Sequence, residues 1–375
     1  MRLATCVAAE IAVGATLLAA VTSGAVWAVG LVGPDDGAGQ AVATAAPLVR
    51  ELDTGSTGPI AAAGGVAVAT TETPPAGGDA QARPATVFAG KPDEELLAPL
   101  RTGAIDRVKI GSCCTSLNMR IDFDNGARAA FKPEQRNLGS KPRKEIAAYR
   151  IDRLLGLGAV PPSIGRRLSV ADLSSRVKGS GAEDMSRLDT EMISKGGLVD
   201  RELTWWIPDL SKPKIDGILI DTAQGVGIWQ RHLAAGAETP AKHAALLGQI
   251  STVLLFDYLI NNLDRWSGGN VLASSNGAVL YFMDNTMAFR PQPRAHSKVR
   301  SYLRRCQKFS RSLVTRLREL RVEDVREALA RDLGPYPELL TEQEIEGIMA
   351  RRDSALQYID QLVARHGVDA VLVFD

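Results

Sequence analysis

The sequence predicts an α+β protein, with short strands in the first part of its folded region and helices in most of the second. In the first part, Met119, Ile121 and Phe123 alternate with charged residues, which is the period of a half-buried strand. In the second part, apolar residues recur every three or four positions along 243–263 and 301–361, which is the period of a helix. No internal repeat is visible in the chain.

Composition allows a sizeable core and gives no argument for a nucleic-acid partner. The chain has 375 residues, of which 45% are hydrophobic, enough for one large or two modest domains. Its 44 Lys and Arg balance 43 Asp and Glu, a net charge of +1, so we predict no nucleic-acid binding. Between Arg290 and Arg321 the charges are almost all positive. We interpret this segment as a solvated helix face, and alternatively as a surface that attracts an acidic substrate or a phosphate.

The N-terminal region contains a long apolar segment. Residues 11–33 carry no charge, and a helix of that length crosses a bilayer core of ~30 Å. Arg2 precedes the segment, while Asp35 and Asp36 follow it, as expected if the N-terminus stays inside. Two alternatives are open for residues 1–33: an uncleaved signal anchor, and a signal peptide cleaved after Ala28. Either one predicts an extracytoplasmic protein, which is single-pass membrane-anchored or secreted.

Residues 34–91 are predicted to form a disordered stalk. They are rich in Ala, Gly, Thr and Pro, and such a stretch buries too little apolar surface to offset its ordering entropy. Order is expected to begin near Pro92. No Cys/His cluster has zinc spacing, and the cysteines allow at most one disulfide in the folded part. The absence of an Asn-x-Ser/Thr acceptor leaves a bacterial cell-envelope location open.

Two candidate site residues follow a predicted hairpin. Asp124-Asn125-Gly126 is a hairpin turn, because Asn and Gly tolerate positive φ, and the return strand over 127–131 delivers Lys132. A helix with an apolar stripe is predicted over 144–155, and Glu145 lies at its start. The plainer interpretations are a surface lysine and a carboxylate that complements the helix dipole.

Two aspartates flank the loop and hairpin that follow the most apolar helix. The helix over 243–263 is predicted to be buried nearly all round, and Asp264 and Asn270 bound the loop after it. A hairpin over 271–282 then places Asp284 in the turn beyond its second strand. Phosphoryl transfer requires a lysine on the phosphates, a carboxylate base, and a carboxylate with an amide for the divalent metal. The chain supplies these residue types in that order, although Asp and Asn also commonly form caps and turns.

The same segments resemble the secretory-pathway atypical kinase family that includes the Golgi casein kinase, its proteoglycan-xylose kinase relative and four-jointed. The likeness spans roughly Arg107 to Leu320. It is carried by several motifs in the same order: Ala130-Phe131-Lys132-Pro133, the helix Glu145–Leu155 with Val160-Pro161-Pro162, Ile207–Ser211, Leu255–Leu259 with Asn262-Leu263-Asp264-Arg265, Phe282-Met283-Asp284-Asn285, and Tyr302–Cys306.

This resemblance implies an atypical two-lobed protein-kinase-like fold, with a small β-rich N-lobe over 92–205 and a mostly helical C-lobe over 206–375. It implies that ATP is used with Mn²⁺ or Mg²⁺ and that a hydroxyl of a secreted protein (Ser/Thr) or of a glycan accepts the γ-phosphate. For a eukaryotic source it implies the Golgi lumen. Lys132 would bind phosphates, Glu145 would pair with the lysine or assist the metal, Asp264 would be the catalytic base, and Asp284 would be the metal ligand.

The sequence departs from the family pattern beside the implied nucleotide site. Ser116 stands where the Golgi casein kinase group usually has a nucleotide-contacting glutamine, and it is kept as a candidate cofactor-binding residue. Asn270, also a cofactor-binding candidate, follows Asp264 by six residues rather than the five common in kinase loops. Two other classes of protein stay open: a pseudokinase that binds nucleotide and activates a partner, and a stalked envelope protein without a nucleotide site.

Overall fold

The structure, a computed structural model, describes residues 86–111, 116–137, 139–179, 181–267 and 269–375. The predicted leader and most of the predicted stalk lie outside the described residues. Within them, order begins earlier than Pro92, because Val87–Phe88 (β1) pairs with Lys91–Pro92 (β2). Phe88 is buried, and its ring centroid lies 5.5 Å from that of Tyr281. The predicted end of the stalk at residue 91 was therefore wrong, since one aromatic side chain supplies the buried surface that anchors this turn.

The first half of the described chain is built on a five-stranded antiparallel sheet. Its strand order is β3-β4-β5-β7-β6. The strands are β3 Ile105–Ile110, β4 Met119–Phe123, β5 Arg128–Pro133, β6 Ser163–Ser169 and β7 Leu198–Trp205. Met119, Ile121 and Phe123 of β4 are buried, which confirms the predicted alternation. Gly126, with φ +81°, forms the predicted hairpin turn between β4 and β5.

Register in this sheet decides which charged residues meet. On β5, Lys132 lies opposite Glu202 of β7, and Glu202 in turn lies opposite Gly165 of β6. Residues directly opposite each other share one face of a sheet, so the amine of Lys132 and the carboxylate of Glu202 point to the same side.

Four helices accompany the sheet: α1 Asp93–Thr102, α2 Arg143–Leu154, α3 Val170–Ser175 and α4 Ala182–Glu191. Helix α2 matches the helix predicted over 144–155 within one residue at each end. Gly156, with φ +63°, follows it and lets the chain turn away. Arg153 near the end of α2 donates to the carboxylate of Asp93 at 2.6 Å, and this buried pair fastens α1 to α2.

The second half of the described chain is mostly helical. The helices are α5 Ala223–His232, a short 3₁₀ turn Ala241–His243, α6 Ala244–Ile260, α7 Ser297–Leu303, α8 Arg311–Glu319, α9 Val322–Ala330, α10 Glu342–His366 and α11 Val368–Val371. Two antiparallel strand pairs join β8 Lys214–Ile215 to β9 Ile218–Leu219 and β10 Leu272–Ala273 to β11 Leu280–Tyr281. A parallel pair joins β12 Phe309–Ser310 to β13 Leu372–Phe374.

Helix α6 is the central helix of this half. By length and composition Ala241–Ile260 is apolar enough to cross a membrane, and it is the one such helix in the described ranges. However, 61% of its most apolar window is buried within the protein, as predicted for a core helix. It ends at Asn261, whose φ of +56° is left-handed. This cap turns the chain into the loop that carries Asp264.

The C-terminal helices also cover the sheet half of the protein. Helix α9 packs against α2, and the segment that follows α9 passes over β6. A Cβ atom on Gly165 would lie 2.8 Å from Cδ of Pro335, which leaves room only for glycine there. The α2 helix therefore packs not only against the nearby strands β6 and β7 but also against α9, which lies more than 150 residues away in sequence.

Candidate active site

A lysine and an aspartate predicted for the site form a direct ion pair. Lys132, near the end of β5, donates from Nζ to Oδ1 of Asp284 at 2.6 Å. Burial alone would lower the pKa of Lys132, but the carboxylates of Asp284, Glu145 and Glu202 outweigh it and the pKa is raised. Burial alone would raise the pKa of Asp284, but Lys132 outweighs that effect and the pKa is lowered. Both groups are therefore charged at neutral pH.

The backbone at Asp284 is held in an uncommon conformation. Its φ is +57°, a left-handed value that non-glycine residues adopt rarely and Asp more readily than most. The hydroxyl of Thr286 donates to Oδ1 of Asp284 at 3.1 Å. This turn follows β11 closely, as the sequence predicted, and it presents the carboxylate to Lys132.

Glu145 contacts the residue next to Asp284 instead of the lysine. It lies in the first turn of α2 and is 4% exposed. Its two carboxylate oxygens accept from the backbone N–H of Asn285 at 2.5 Å and from Nδ2 of Asn285 at 2.9 Å. Among the described residues, which include Glu145 and Lys132, no ion pair within 4.0 Å joins these two side chains. Burial raises the pKa of Glu145, although the nearby Lys132 opposes this.

Asp264 is partly exposed in the loop after α6, where two asparagines hold it. Nδ2 of Asn270 donates to Oδ2 of Asp264 at 2.8 Å and to its carbonyl oxygen at 3.2 Å. Oδ1 of Asn262 accepts from the Asp264 backbone N–H at 3.1 Å, while Nδ2 of the same side chain donates to the carbonyl of Asp284 at 3.2 Å. Asn262 thus joins the loops that carry the two predicted aspartates.

Arg265 bonds the loop that carries Asp264 to the loop that carries Asp284, a role that the sequence did not suggest. The side chain is fully buried. It contacts the carboxylate of Asp257 at 3.2 Å, donates to Oδ1 of Asn285 at 2.6 Å, and donates to the carbonyl of Met283. Burial raises the pKa of Asp257 to about 6 against the opposing charge of Arg265. The sequence shows a charged residue directly after the candidate base, but it does not indicate the partners of Arg265, which lie on other elements.

Glu202 is a second site residue that sequence reasoning missed. It is 2% exposed and lies opposite Lys132 in the sheet. Its carboxylate accepts from the hydroxyl of Thr204, which also contacts Oγ of Ser163 at 2.6 Å. Burial, followed by the neighbouring charge of Glu145, raises the pKa of Glu202 to about 8. Nothing in the sequence around Glu202 distinguishes it, because only the pairing of β5 with β7 brings it to the lysine.

We expect Glu202→Gln to flatten the dependence of stability on pH. A carboxyl whose pKa is higher in the folded than in the unfolded chain makes the folded state bind more protons, so stability falls as pH rises from about 4.5 to about 8. The glutamine variant lacks this group. The free energy of unfolding of Glu202→Gln minus that of wild type should therefore increase by at least about 1 kcal/mol between pH 5.5 and pH 8.5.

Urea denaturation in EDTA at those two pH values measures the effect without a metal ion. Asp257 and Asp152, whose pKa values burial raises to about 6, titrate in the lower part of the same window in both proteins. Glu134→Gln is the comparison variant: burial also raises the pKa of this less buried carboxyl, so the same change in pH dependence should be smaller. A constant difference between wild type and Glu202→Gln across the window would contradict the prediction.

The remaining candidates are placed differently. Asn270 contacts Asp264, not Asp284, so its predicted part in cofactor binding stays a prediction. Ser116 directly precedes Leu117, whose backbone N–H donates to Gln135 at 2.8 Å. Among the hydrogen bonds described for residues 116–137 and beyond, none joins Ser116 to Lys132 or the acidic groups. Its predicted contact with a nucleotide also stays a prediction.

The carboxylate oxygens of Asp284 and Glu145 fit a hard divalent cation whose other ligands are phosphate oxygens. In the described ranges, no group of three or more His, Cys, Asp or Glu side chains forms a cage for a metal ion. Mg²⁺-type sites at nucleotides commonly use only one or two carboxylates together with phosphate oxygens. Each carboxylate oxygen has two acceptor positions, and the Asp284 side chain is 30% exposed, which leaves it accessible.

Comparison with solved structures identifies the fold. The chain superposes on the Golgi casein kinase with a TM-score of 0.58 and 19% identity, over 75% of this chain and 78% of that one. A hydra Fam20 structure with sugar gives a TM-score of 0.57 and 16% identity, over 74% and 91%. The predicted two-lobed kinase-like α+β fold is thereby confirmed.

Sequence relatives point to the same group. Human glycosaminoglycan xylosylkinase is 21% identical over 75% of this chain and 77% of its own length, and the zebrafish (Danio rerio) protein of the same name is 22% identical over 75% and 77%. The chain is thus similar in sequence to glycosaminoglycan xylosylkinases and in fold to the Golgi casein kinase. The human pseudokinase FAM20A is 23% identical over 72% of this chain but only 60% of its own length. No protein-family model matches the chain. The resemblance to these kinases that the motifs predicted is thereby confirmed.

Proposed function

We propose that the protein is an ATP-dependent kinase that transfers the γ-phosphate of metal-bound ATP to a hydroxyl group. The observation that carries the proposal is the cluster in which Lys132 contacts Asp284, Glu145 holds Asn285, and Asn262 joins this loop to Asp264. It combines one charged amine, two carboxylates for a cation and one separate, accessible carboxylate. Phosphoryl transfer requires these groups, since its catalysis is mostly positioning and neutralisation of charge.

Lys132 would contact the nucleotide phosphates, and Asp284 would hold the divalent metal with Glu145 close by. The ion pair between Lys132 and Asp284 keeps both side chains charged and extended toward the same space. A bound Mn²⁺ or Mg²⁺ would neutralise charge on the phosphate oxygens. The protein's own contribution is to keep the amine and the carboxylates at fixed positions through buried partners such as Arg265.

Asp264 would accept the proton of the attacking hydroxyl. Its carboxylate is oriented by Asn270, and its backbone N–H is bonded to Asn262, so the group has a defined position beside the Asp284 loop. Lys298 on α7 donates to Ser267 in the same loop at 2.8 Å, which adds a positive charge near the place where the acceptor would enter.

The acceptor is proposed to be a secreted protein or a glycan. The relatives are named as a glycosaminoglycan xylosylkinase and as a casein kinase, so the group includes enzymes named for each kind of acceptor. The second of these names also includes the Golgi, which supports an extracytoplasmic location for this chain. Anchoring through the apolar segment 11–33 remains a prediction.

A pseudokinase that binds nucleotide and activates a partner is the second candidate. It is supported by the similarity to human FAM20A, which is named a pseudokinase. The arrangement of Lys132, Asp264 and Asp284 favours catalysis, because a protein that only binds nucleotide has no need for the oriented carboxylate at position 264.

Binding of ATP with Mn²⁺ should stabilise the full chain in detergent micelles. At a ligand concentration of about 100 times Kd, the free energy of unfolding rises by about 2.7 kcal/mol, which corresponds to a shift in Tm of roughly 3–5 °C for a chain of this size. Thermal unfolding with ATP and Mn²⁺, with ATP and EDTA, and with Mn²⁺ alone measures this shift. No shift with ATP and Mn²⁺, together with no transfer of radiolabelled phosphate, would overturn the proposal.

A further inference from the structure

A buried glutamate on the longest helix contacts the start of α2. Glu344, in the first turn of α10, is 5% exposed. Its carboxylate lies 2.9 Å from Nζ of Lys144 and 3.1 Å from Nη2 of Arg143. These two cations directly precede Glu145 in the chain. A residue nearly two hundred positions away is thus bonded to the turn of helix that presents the candidate metal-assisting carboxylate.

Lys144 also reaches the loop that carries Asp284. Its Nζ donates to the carbonyl oxygens of Ala288 at 2.8 Å and of Phe289 at 3.1 Å. Lys144 is 8% exposed, so its ammonium contacts these two carbonyl oxygens and the carboxylate of Glu344 in place of water. One buried amine therefore bonds α2, the loop after Asp284 and α10 together. We call the contacts of Lys144 and Arg143 with Glu344 the α10 clamp.

The charge on Glu344 is what makes this arrangement stable. A buried ammonium without a negative partner is costly, and neutral carbonyl groups compensate it only in part. Burial alone would raise the pKa of Glu344, but the backbone N–H of Thr341 and the amine of Lys144 outweigh it and the pKa is lowered. Glu344 is therefore ionised at neutral pH and can hold both cations at the start of α2.

We propose that Glu344 is a positioning residue, which through the α10 clamp fixes Glu145 against Asn285 before any nucleotide binds. The idea rests on the proposed function, since it assigns the position of Glu145 to a distant helix of the C-terminal half. The path is contiguous: Glu344 contacts Lys144, Lys144 contacts the carbonyls of the loop after Asp284, and Glu145 contacts Asn285 in that same loop. Loss of the clamp frees one turn of helix and one loop together.

Glu344 also caps its own helix, and the two roles can be separated. The backbone N–H of Thr341 donates to Oε2 of Glu344 at 2.9 Å, and the backbone N–H of Glu344 donates to Thr341 Oγ1 at 3.3 Å. Glutamine serves in the third position of such a capping box as well as glutamate does. Glu344→Gln consequently keeps the cap and the side-chain shape but removes the charge that the clamp needs.

Hydrogen exchange tests the clamp without relying on activity. In the full chain without metal or nucleotide, we expect Glu344→Gln to exchange about tenfold faster in peptides that cover 143–150 and 284–289, including the Asn285 amide bonded to Glu145. Peptides from the rest of α10 should keep their wild-type protection. Glu346→Gln, an exposed carboxylate one half-turn further along α10, is the matched control. Unchanged exchange in both peptides of Glu344→Gln would overturn the proposal.

Metal titration supplies a second readout. The Mn²⁺ concentration needed for half-maximal stabilisation in the presence of ATP should rise about 10-fold in Glu344→Gln, which is the scale for loss of a partner that orients a ligand. Any effect on kcat at saturating Mn²⁺ should be smaller. A loss confined to kcat would contradict the positioning role. If wild type fails to bind ATP and Mn²⁺, the proposed function fails, whereas the exchange experiment still decides whether the clamp holds Glu145.

Discussion

Asp284→Asn is expected to lower kcat/KM for phosphoryl transfer by about 10³-fold, the scale for losing one fixed charge at a phosphoryl group. The neutral amide binds a hard cation poorly and cannot balance the charge of Lys132. It also removes the ion pair that joins β5 to the loop after β11. The stabilisation by ATP and Mn²⁺ should therefore disappear in thermal unfolding, while the variant remains folded by circular dichroism.

A matched control exists elsewhere in the chain. Asp216, in the turn between β8 and β9, also has a positive φ, +48°, and is exposed, so Asp216→Asn makes the same chemical change in a similar backbone conformation. It should keep kcat/KM within about twofold of wild type, because Asp216 lies outside the cluster around Lys132 and a surface substitution usually changes stability little. If Asp284→Asn retained more than a tenth of wild-type kcat/KM, its assignment as the metal ligand would be wrong.

Asp264→Asn should separate chemistry from binding. We expect kcat to fall by about 10²- to 10⁴-fold, the range for loss of a general base. The shift in Tm produced by ATP and Mn²⁺ should stay close to that of wild type, because Asp264 contacts Asn270 and Asn262 rather than Lys132. An asparagine oxygen can still accept from Asn270, so the loop should keep its shape. Phosphate transfer and thermal unfolding measure the two effects.

The pair of variants distinguishes the candidate functions. Asp353→Asn on α10, an exposed residue bonded to Arg352, controls for loss of a surface carboxylate. Equal turnover by wild type and Asp264→Asn would remove Asp264 from the role of base. If wild type and Asp264→Asn both bind ATP with Mn²⁺ but neither transfers phosphate to protein, glycan or water, the pseudokinase alternative replaces the kinase.

Much of the fold could be predicted because its signals are local. The β4–β5 hairpin was predicted from alternation and from Gly126, and α2 and α6 from the spacing of their apolar residues. The positions of Lys132 at a strand end and of Asp284 beyond a hairpin followed from the same reasoning. The beginning of order was not predicted, since Phe88 packs against residues that lie far along the chain, among them Tyr281.

The partners within the candidate site were harder to predict. Glu145 was predicted to pair with Lys132 or to assist the metal, and the sequence did not indicate Asn285, the residue to which both of its oxygens are bonded in the structure. Glu202 reaches the site through strand register, and Glu344 reaches it through the packing of α10. Each of these contacts joins residues separated by 70 to about 200 positions, and no short-range pattern in the sequence records such a pairing.

The sequence by itself determined which residue types are present, their order, and the strand or helix on which most of them lie. These properties depend on side-chain periodicity and turn chemistry, which act over a few residues. Only the tertiary structure decided that Lys132 pairs with Asp284, that Asn262 bridges the two aspartate loops, and that a clamp from α10 holds the start of α2. Buried charges pair with the opposite charges that packing brings close to them, because an unpaired charge in the interior costs too much free energy.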